Sequence, residues 1–167
     1  MTGTKPRPLV IHGWAVFAHP LFLAQLETLA QQVEALQQKD PIGYTKKNAS
    51  KRLAAITRLA FDLIPQDPAR PEYRQGGTLG EKHKHWLRAK FFQQYRLFFR
   101  YHAPSRVIVY AWVNDEDSKR AYESNTDAYR VFSKMLDGGR PPDDWRQLLH
   151  EAAQGQGLQL LKSNTTP

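Results

Sequence analysis

Cysteine is absent from the 167-residue sequence, which excludes disulfides, thiol nucleophiles and thiolate metal sites. Long apolar runs are missing too, since no stretch approaches the roughly 20 residues that a membrane-spanning helix needs. Residues 1–13 lack the continuous apolar segment of a secretory signal. We therefore expect a cytoplasmic protein that is neither exported nor inserted into a membrane.

Acidic residues are missing from one stretch, residues 82–106. The chain has 24 Lys and Arg against 16 Asp and Glu, a formal charge of +8, and much of the excess lies in this stretch. Its cations are Lys82, Lys84, Arg88, Lys90, Arg96, Arg100 and Arg106. Aromatic residues are interspersed among them. Because cations bind phosphates and flat rings stack on unpaired bases, the stretch predicts a surface for single-stranded nucleic acid.

The amino-terminal half is predicted to contain one strand and a helical hairpin. A β-like segment over residues 10–17 ends at His19-Pro20. Apolar residues at steps of three and four then predict a helix over 22–36 and a second helix within 44–64. Residues 65–81 are rich in Pro, Gly and charge, which predicts a surface loop.

Three antiparallel strands are predicted over 86–92, 95–101 and 107–113. Apolar and basic residues alternate in the first two, so their cations should project from one face of the sheet. The third strand is apolar on both sides, which predicts an interior position. Its alternate face should carry Ile108, Tyr110 and Trp112.

The carboxy-terminal part is predicted to be helical, with starts near Asp117, Asp127 and Asp143. With 41% hydrophobic residues the chain can form one core, so we expect a single domain over 1–167. Residues 1–9 and 155–167 are expected to be flexible tails of that domain.

The order of strand, two helices, antiparallel strands and helical tail resembles the RelE superfamily of bacterial toxins. Within it, the chain resembles the YhaV family, over roughly residues 11–150. The segments that carry the resemblance are HGWAVFAHPLF, WLRAKFFQQYRLFFRY, VIVYAWVNDED, TDAYRVFSKML and GGRPPDDW. The resemblance implies a RelE-like α+β fold, and a ribosome-dependent messenger RNA endonuclease that needs neither a metal nor another cofactor. It also implies a PrlF-like antitoxin as partner.

The resemblance implies four catalytic positions. RelE relatives carry two basic residues on one strand, an arginine on the next and a tyrosine downstream. The matching residues are Arg88, Lys90, Arg96 and Tyr122. A further arginine that the superfamily often places after the last strand has no counterpart here, because residues 114–117 read Asn-Asp-Glu-Asp. Lys119 or Arg120 is expected to supply that charge, or the residues divide the work differently.

Metal-free RNA cleavage requires deprotonation of the ribose 2′-oxygen, neutralisation of the phosphate and protonation of the 5′-oxygen. Neighbouring arginines favour loss of a proton from a lysine, so we expect Lys90 to transfer protons. Arg88 and Arg96 are expected to contact the phosphate. Tyr122 would stack or donate a proton, and His83 or His85 are alternative acids or bases because imidazole titrates near neutral pH.

A wider set of residues is expected to contact RNA around these positions. The set comprises Lys82, His83, Lys84, His85, Trp86, Arg100, Lys119 and Arg120. An antitoxin that lays acidic or apolar segments over residues 88–100 would block this surface.

Two other functions fit the same cationic surface. A non-catalytic RNA or ribosome binder would stall translation by occupancy, without creating new RNA ends. A DNA-binding corepressor would act on operator DNA together with the antitoxin, and this role can coexist with RNA cleavage.

Overall fold

The computed structural model describes residues 8–115 and 127–154. It confirms the predicted α+β class, with a five-stranded sheet in the order β1-β2-β5-β4-β3 and helices on both faces. All pairings are antiparallel except the parallel pair of β2 and β5. The strands are β1 Leu9–Ile11, β2 Trp14–Ala18, β3 Leu87–Phe91, β4 Tyr95–His102 and β5 Val107–Val113. The architecture is consistent with a RelE-like fold.

The amino-terminal segment is a hairpin rather than the predicted single strand. His12 and Gly13 have φ values of 50° and 83°, and this left-handed backbone reverses the chain between β1 and β2. Leu9, expected in a flexible tail, pairs with Val16. Of the two predicted tails, residues 1–7 and 155–167 lie outside the described residues.

The predicted helical hairpin is confirmed and covers one face of the sheet. Helix α1 spans Pro20–Lys39, and the side chain of His19 caps it by accepting from the Leu21 amide. Helix α2 spans Asn48–Arg58 and continues through a π-helical segment, Leu59–Leu63, into the short α3, Ile64–Gln66. Their apolar residues join those of β2, β4 and β5 in the larger core cluster.

A β-bulge between β4 and β5 makes one prediction about β5 wrong. Phe98 pairs with Trp112 whereas Phe99 pairs with Tyr110, so Ala111 is an extra residue. Tyr110 therefore lies on the α1 and α2 face, and Trp112 lies on the opposite face. The interior position predicted for β5 is confirmed, since every one of its residues is buried.

The sequence predicted a surface loop over residues 65–81, but this segment is partly buried. Tyr73, Gln75 and Leu79 are buried, with exposed fractions of 4%, 5% and 3%. The Gln75 side-chain amide donates to the His83 carbonyl and accepts from the Leu79 amide. A polar residue thus ties this segment to the start of β3.

The second face of the sheet is covered by α4, Ala128–Asp137, and α5, Trp145–Ala153. Asp127 and Asp144 cap the two helices through their side chains, close to the predicted starts. The rings of Phe98, Trp112 and Phe132 stack at the centre of this second cluster. The helix predicted to start near Asp117 lies outside the described residues.

In the described ranges there is no helix with the length and apolar character needed to cross a membrane. The sheet has a helical layer on each of its two faces, and the β3–β4 hairpin lies at one edge of the sheet.

Candidate active site and nucleic-acid interface

The predicted cations meet on the β3–β4 hairpin. Lys90 pairs directly across the strands with Arg96, and Arg88 pairs with Phe98. Residues two apart on a strand share a face, so Arg88 and Lys90 project to the same side as Arg96. The predicted clustering of these three cations on one face of the sheet is present in the fold.

Two arginines converge on a tyrosine that the sequence analysis did not select. The Nε groups of Arg88 and Arg96 donate to the Tyr129 hydroxyl, at 2.9 and 3.1 Å. Tyr129 lies in the first turn of α4, where the carboxylate of Asp127 accepts from its amide at 2.8 Å. A helix from the second layer therefore holds the two guanidinium groups together.

The cations differ in how far they reach the surface. Lys90 is exposed, Arg88 is half-buried, and Arg96 is only 6% exposed. Arg96 also donates through Nη1 to the carbonyls of Gln93 and Tyr95, at 2.7 and 2.9 Å. Arg96 thus forms the floor of the site, whereas Lys90 lies at its surface.

Within residues 8–115 and 127–154, the two arginines of this cluster donate to the Tyr129 hydroxyl and to main-chain carbonyls. Among the residues that the structure describes, no carboxylate forms an ion pair with Arg88, Lys90 or Arg96. Arg88 instead donates through Nη1 to the main-chain carbonyl of Glu72 at 2.6 Å. Three cations on one face, with no carboxylate partner in the described ranges, favour the binding of an anion.

The arginines also act on the ionisation of Tyr129. Burial of the phenol favours its neutral form, but the hydrogen bonds and charges of Arg88 and Arg96 outweigh burial and lower the pKa of Tyr129. Burial raises the pKa of Tyr110, on the other face, well above its usual value. The surroundings of the two tyrosines therefore shift their pKa values in opposite directions.

An ultraviolet titration should detect this difference. We expect Tyr129 to ionise below the ordinary tyrosine pKa of about 10, and its pKa to rise in Arg88→Ala, because one donor and one charge are removed. Absorbance near 295 nm, compared between the native protein and Tyr129→Phe, isolates this group. A first ionisation step that Tyr129→Phe retains would contradict the assignment.

Arg100 and Trp86, both expected to contact RNA, lie beneath α5. The Arg100 guanidinium is 5.5 Å from the ring centre of Trp86 and 5.4 Å from that of Trp145, and it donates to the Asp143 carbonyl. Burial lowers the pKa of Arg100, with the charges of Asp143 and Asp144 opposing the shift. Trp86 is fully buried against Phe132, so in this arrangement its ring has no face open to a base.

His83 and His85 are held by a carboxylate from the second helical layer. Asp143 accepts from the Trp86 indole at 2.8 Å and lies 3.1 Å from His83 Nδ1 and 2.9 Å from His85 Nε2. His83 is also 3.3 Å from Asp137 and is only 4% exposed, unlike the open loop position expected for it. The histidines thus fasten the segment after α4 to the start of β3.

This cluster predicts acid sensitivity. Burial raises the pKa of Asp143, but its bonds to Trp86, His83 and His85 outweigh burial and lower it overall. A carboxyl with a depressed pKa in the folded state stabilises the fold above its unfolded pKa of about 3.9, and this stabilisation is lost as pH falls through the folded value.

We expect the free energy of unfolding to fall more steeply below about pH 4 in the native protein than in Asp143→Asn. Urea unfolding at several pH values measures it. Glu34→Gln, which alters an exposed carboxylate on α1, is the matched control and should reproduce the native profile. Identical pH profiles for the native protein and Asp143→Asn would disprove the role of Asp143.

The other predicted RNA-binding residues are placed as follows. Lys82 is exposed and 3.4 Å from Asp137, and Lys84 is exposed and 2.8 Å from Glu81. Lys84 and His85 also line an open cleft of about 600 Å³, together with Arg74 and Tyr101. The last three predicted site residues, Lys119, Arg120 and Tyr122, lie outside the described residues.

Comparisons with known proteins identify the family of this chain. A family model for a toxin with endonuclease activity, of a toxin–antitoxin system, matches residues 16–153. Toxin YhaV of Escherichia coli O6:H1 is 46% identical over 146 residues, which cover 86% of this chain and 95% of the relative. Ribonuclease toxin YhaV of Escherichia coli strain K12 is 45% identical over the same coverage. No solved structure matches the chain.

Fold, cationic site and family description together define an endonuclease toxin, which implies an antitoxin as its partner. This chain belongs to the YhaV toxin family, as the resemblance in its sequence indicated.

Proposed function

We propose that this toxin is a ribosome-dependent messenger RNA endonuclease that cleaves without a metal, by attack of the ribose 2′-oxygen. The observation that carries the proposal is the convergence of Arg88 and Arg96 on Tyr129, with Lys90 directly across from Arg96. The K12 relative is named a ribonuclease toxin, which supports RNA as the substrate. The enzyme would act in the cytoplasm, where messages are translated.

The chemistry divides among these side chains by their exposure. Lys90, at the surface, reaches the backbone of a bound RNA and either accepts the proton of the 2′-hydroxyl or donates a proton to the departing 5′-oxygen. Arg88 contacts the scissile phosphate and neutralises the charge that develops as the 2′-oxygen attacks phosphorus. Arg96 adds positive charge from beneath and holds the turn after β3 through Gln93. The products are a 2′,3′-cyclic phosphate and a 5′-hydroxyl.

Tyr129 takes a place in this proposal beside Tyr122, the tyrosine that the resemblance implied. Its hydroxyl accepts from both arginines, so it fixes the separation and direction of the two guanidinium groups. We treat Tyr129 as a positioning residue. Tyr122 remains the predicted stacking or proton-donating residue, and His83 and His85 hold the surrounding structure through Asp143.

The cationic hairpin is also the proposed site of inhibition. A PrlF-like antitoxin that covers residues 88–100 with acidic or apolar segments would compete with RNA for Lys90 and Arg88. Operator DNA bound by the toxin–antitoxin complex remains a prediction, and a gel shift with and without the antitoxin tests it.

Mapping of RNA 5′ ends in a reconstituted translation reaction tests the proposed activity. The native protein should create new ends within translated messages, and these ends should be absent when translation is blocked. Arrest of translation without new ends would instead identify a non-catalytic binder. If the same ends appeared on free RNA, the protein would be a nuclease that does not depend on the ribosome.

A further inference from the structure

An exposed aromatic ring stands at the tip of the cationic hairpin. In the described part of the chain, the large apolar side chains that are strongly exposed are Val10, Ile42 and Phe92, and Phe92 is the aromatic one, at 53% exposure. It directly follows Phe91, which pairs with Tyr95 in the rung next to Lys90 and Arg96. Phe92 is the first residue of the turn after β3 and lies two residues beyond Lys90.

The backbone of this residue is unfavourable for phenylalanine. Phe92 and Gln93 have φ values of 48° and 64°, a region that Asn and Gly tolerate and that bulky residues rarely adopt. A ring that is both exposed and held in a strained conformation contributes little to the fold. Strain of this kind concentrates at sites of function.

The surrounding contacts hold the turn in place. Arg96 Nη1 donates to the Gln93 carbonyl at 2.7 Å, and Asn114 Nδ2 donates to the Gln94 carbonyl at 3.0 Å. The Phe92 ring meets the Phe91 ring at a centroid distance of 5.5 Å and an angle of 66°, and the Phe91 ring stacks on Tyr95. Arg96, the floor of the proposed active site, therefore fixes the turn that carries Phe92, while the Phe92 ring packs against Phe91 of the core on the α1 and α2 face.

We propose that Phe92 is a stacking platform for one unpaired nucleobase next to the phosphate held by Lys90. The inference rests on the proposed function and extends it with a base-binding subsite. The neighbouring cations attract the phosphates of a single strand, and the ring offers a flat apolar surface to the adjoining base. A base stacked on this ring at the tip of the hairpin would fix the register of the RNA, so that one phosphate lies over Arg88 and Lys90.

Cleavage by Phe92 variants in the reconstituted translation reaction tests the subsite. Phe92→Ala and Phe92→Leu should cleave about 5- to 150-fold more slowly, the range expected for loss of one base–aromatic stack, while Phe92→Trp should stay close to native. Ile42→Ala, which removes an even more exposed apolar side chain on the opposite half of the chain, is the matched control and should cleave like the native protein.

A further variant separates stacking from folding. Asn is favoured in the left-handed conformation, so Phe92→Asn should unfold at a temperature no lower than native and still lose cleavage to the extent of Phe92→Ala. A residue needed only for the fold would instead lower the unfolding temperature.

Three results would overturn the subsite. Native cleavage by Phe92→Leu would show that any apolar side chain suffices. If all Phe92 variants cleaved at the native rate but bound the antitoxin more weakly, the ring would be a contact for the antitoxin and not for RNA. Absence of cleavage by the native protein itself would remove the proposed function and the subsite together, whereas the first two results leave the nuclease intact.

Discussion

Lys90→Ala should reduce the rate of RNA cleavage about 100-fold or more and leave the unfolding temperature unchanged. The expected loss is that of removing a positioned acid–base group, about 10²- to 10⁴-fold. The fold should tolerate the change because Lys90 is exposed and, within the described ranges, makes no side-chain hydrogen bond or ion pair. Single-turnover cleavage during translation, with thermal unfolding measured in parallel, checks both parts of the prediction.

Two further variants separate charge from proton transfer at this position. Lys90→Arg keeps the cation but cannot give up its proton, so it should be nearly as slow as Lys90→Ala if the residue moves protons. Lys51→Ala removes an exposed lysine from α2, on the other face of the sheet, and should cleave at the native rate. Full activity in Lys90→Arg would reduce the role of Lys90 to electrostatics.

The second large effect is expected for Tyr129→Phe. The change removes the oxygen that accepts from Arg88 and Arg96 and leaves two buried or half-buried donors without that partner. A lost buried acceptor costs about 1–3 kcal/mol of stability. Cleavage should fall at least about tenfold, because the guanidinium groups lose their common anchor and misplacement of catalytic groups is costly. Urea unfolding and cleavage rates together test this expectation.

Tyr110→Phe is the matched control for this change. Tyr110 is a buried tyrosine on the opposite face of the sheet, and its hydroxyl donates to the Ala60 carbonyl at 2.6 Å. The same atom is removed, so stability should fall comparably, but cleavage per folded molecule should stay near native. If both variants lost cleavage in proportion to stability, Tyr129 would have only a structural role.

Local patterns in the sequence were sufficient for most of the elements and for the cationic face. Alternation of apolar and basic residues predicted β3 and β4 almost to the residue, since a strand with one buried face repeats every two residues. The same alternation predicted that Arg88, Lys90 and Arg96 share a face, because parity along paired strands depends on local geometry alone.

Features set by distant contacts were missed. Tyr129 is 41 residues from Arg88, and nothing near Tyr129 in the sequence indicates that α4 packs over the hairpin. The burial of His83 depends on Asp137 and Asp143, which are 54 and 60 residues away. The bulge at Ala111 put Trp112 on the opposite face from Ile108 and Tyr110, since one inserted residue shifts the alternation without changing the composition of the strand.

The order of the strands bears on when a newly made copy becomes harmful. Strand β5 joins β2 on one side to β4 on the other, so the sheet stays in two pieces until residues 107–113 have left the ribosomal exit tunnel. Tyr129 emerges later still, and without it Arg88 and Arg96 lack the oxygen that unites them. Under the proposed function, a ribosome that is synthesising this toxin is spared by the copy it carries until Tyr129 has emerged.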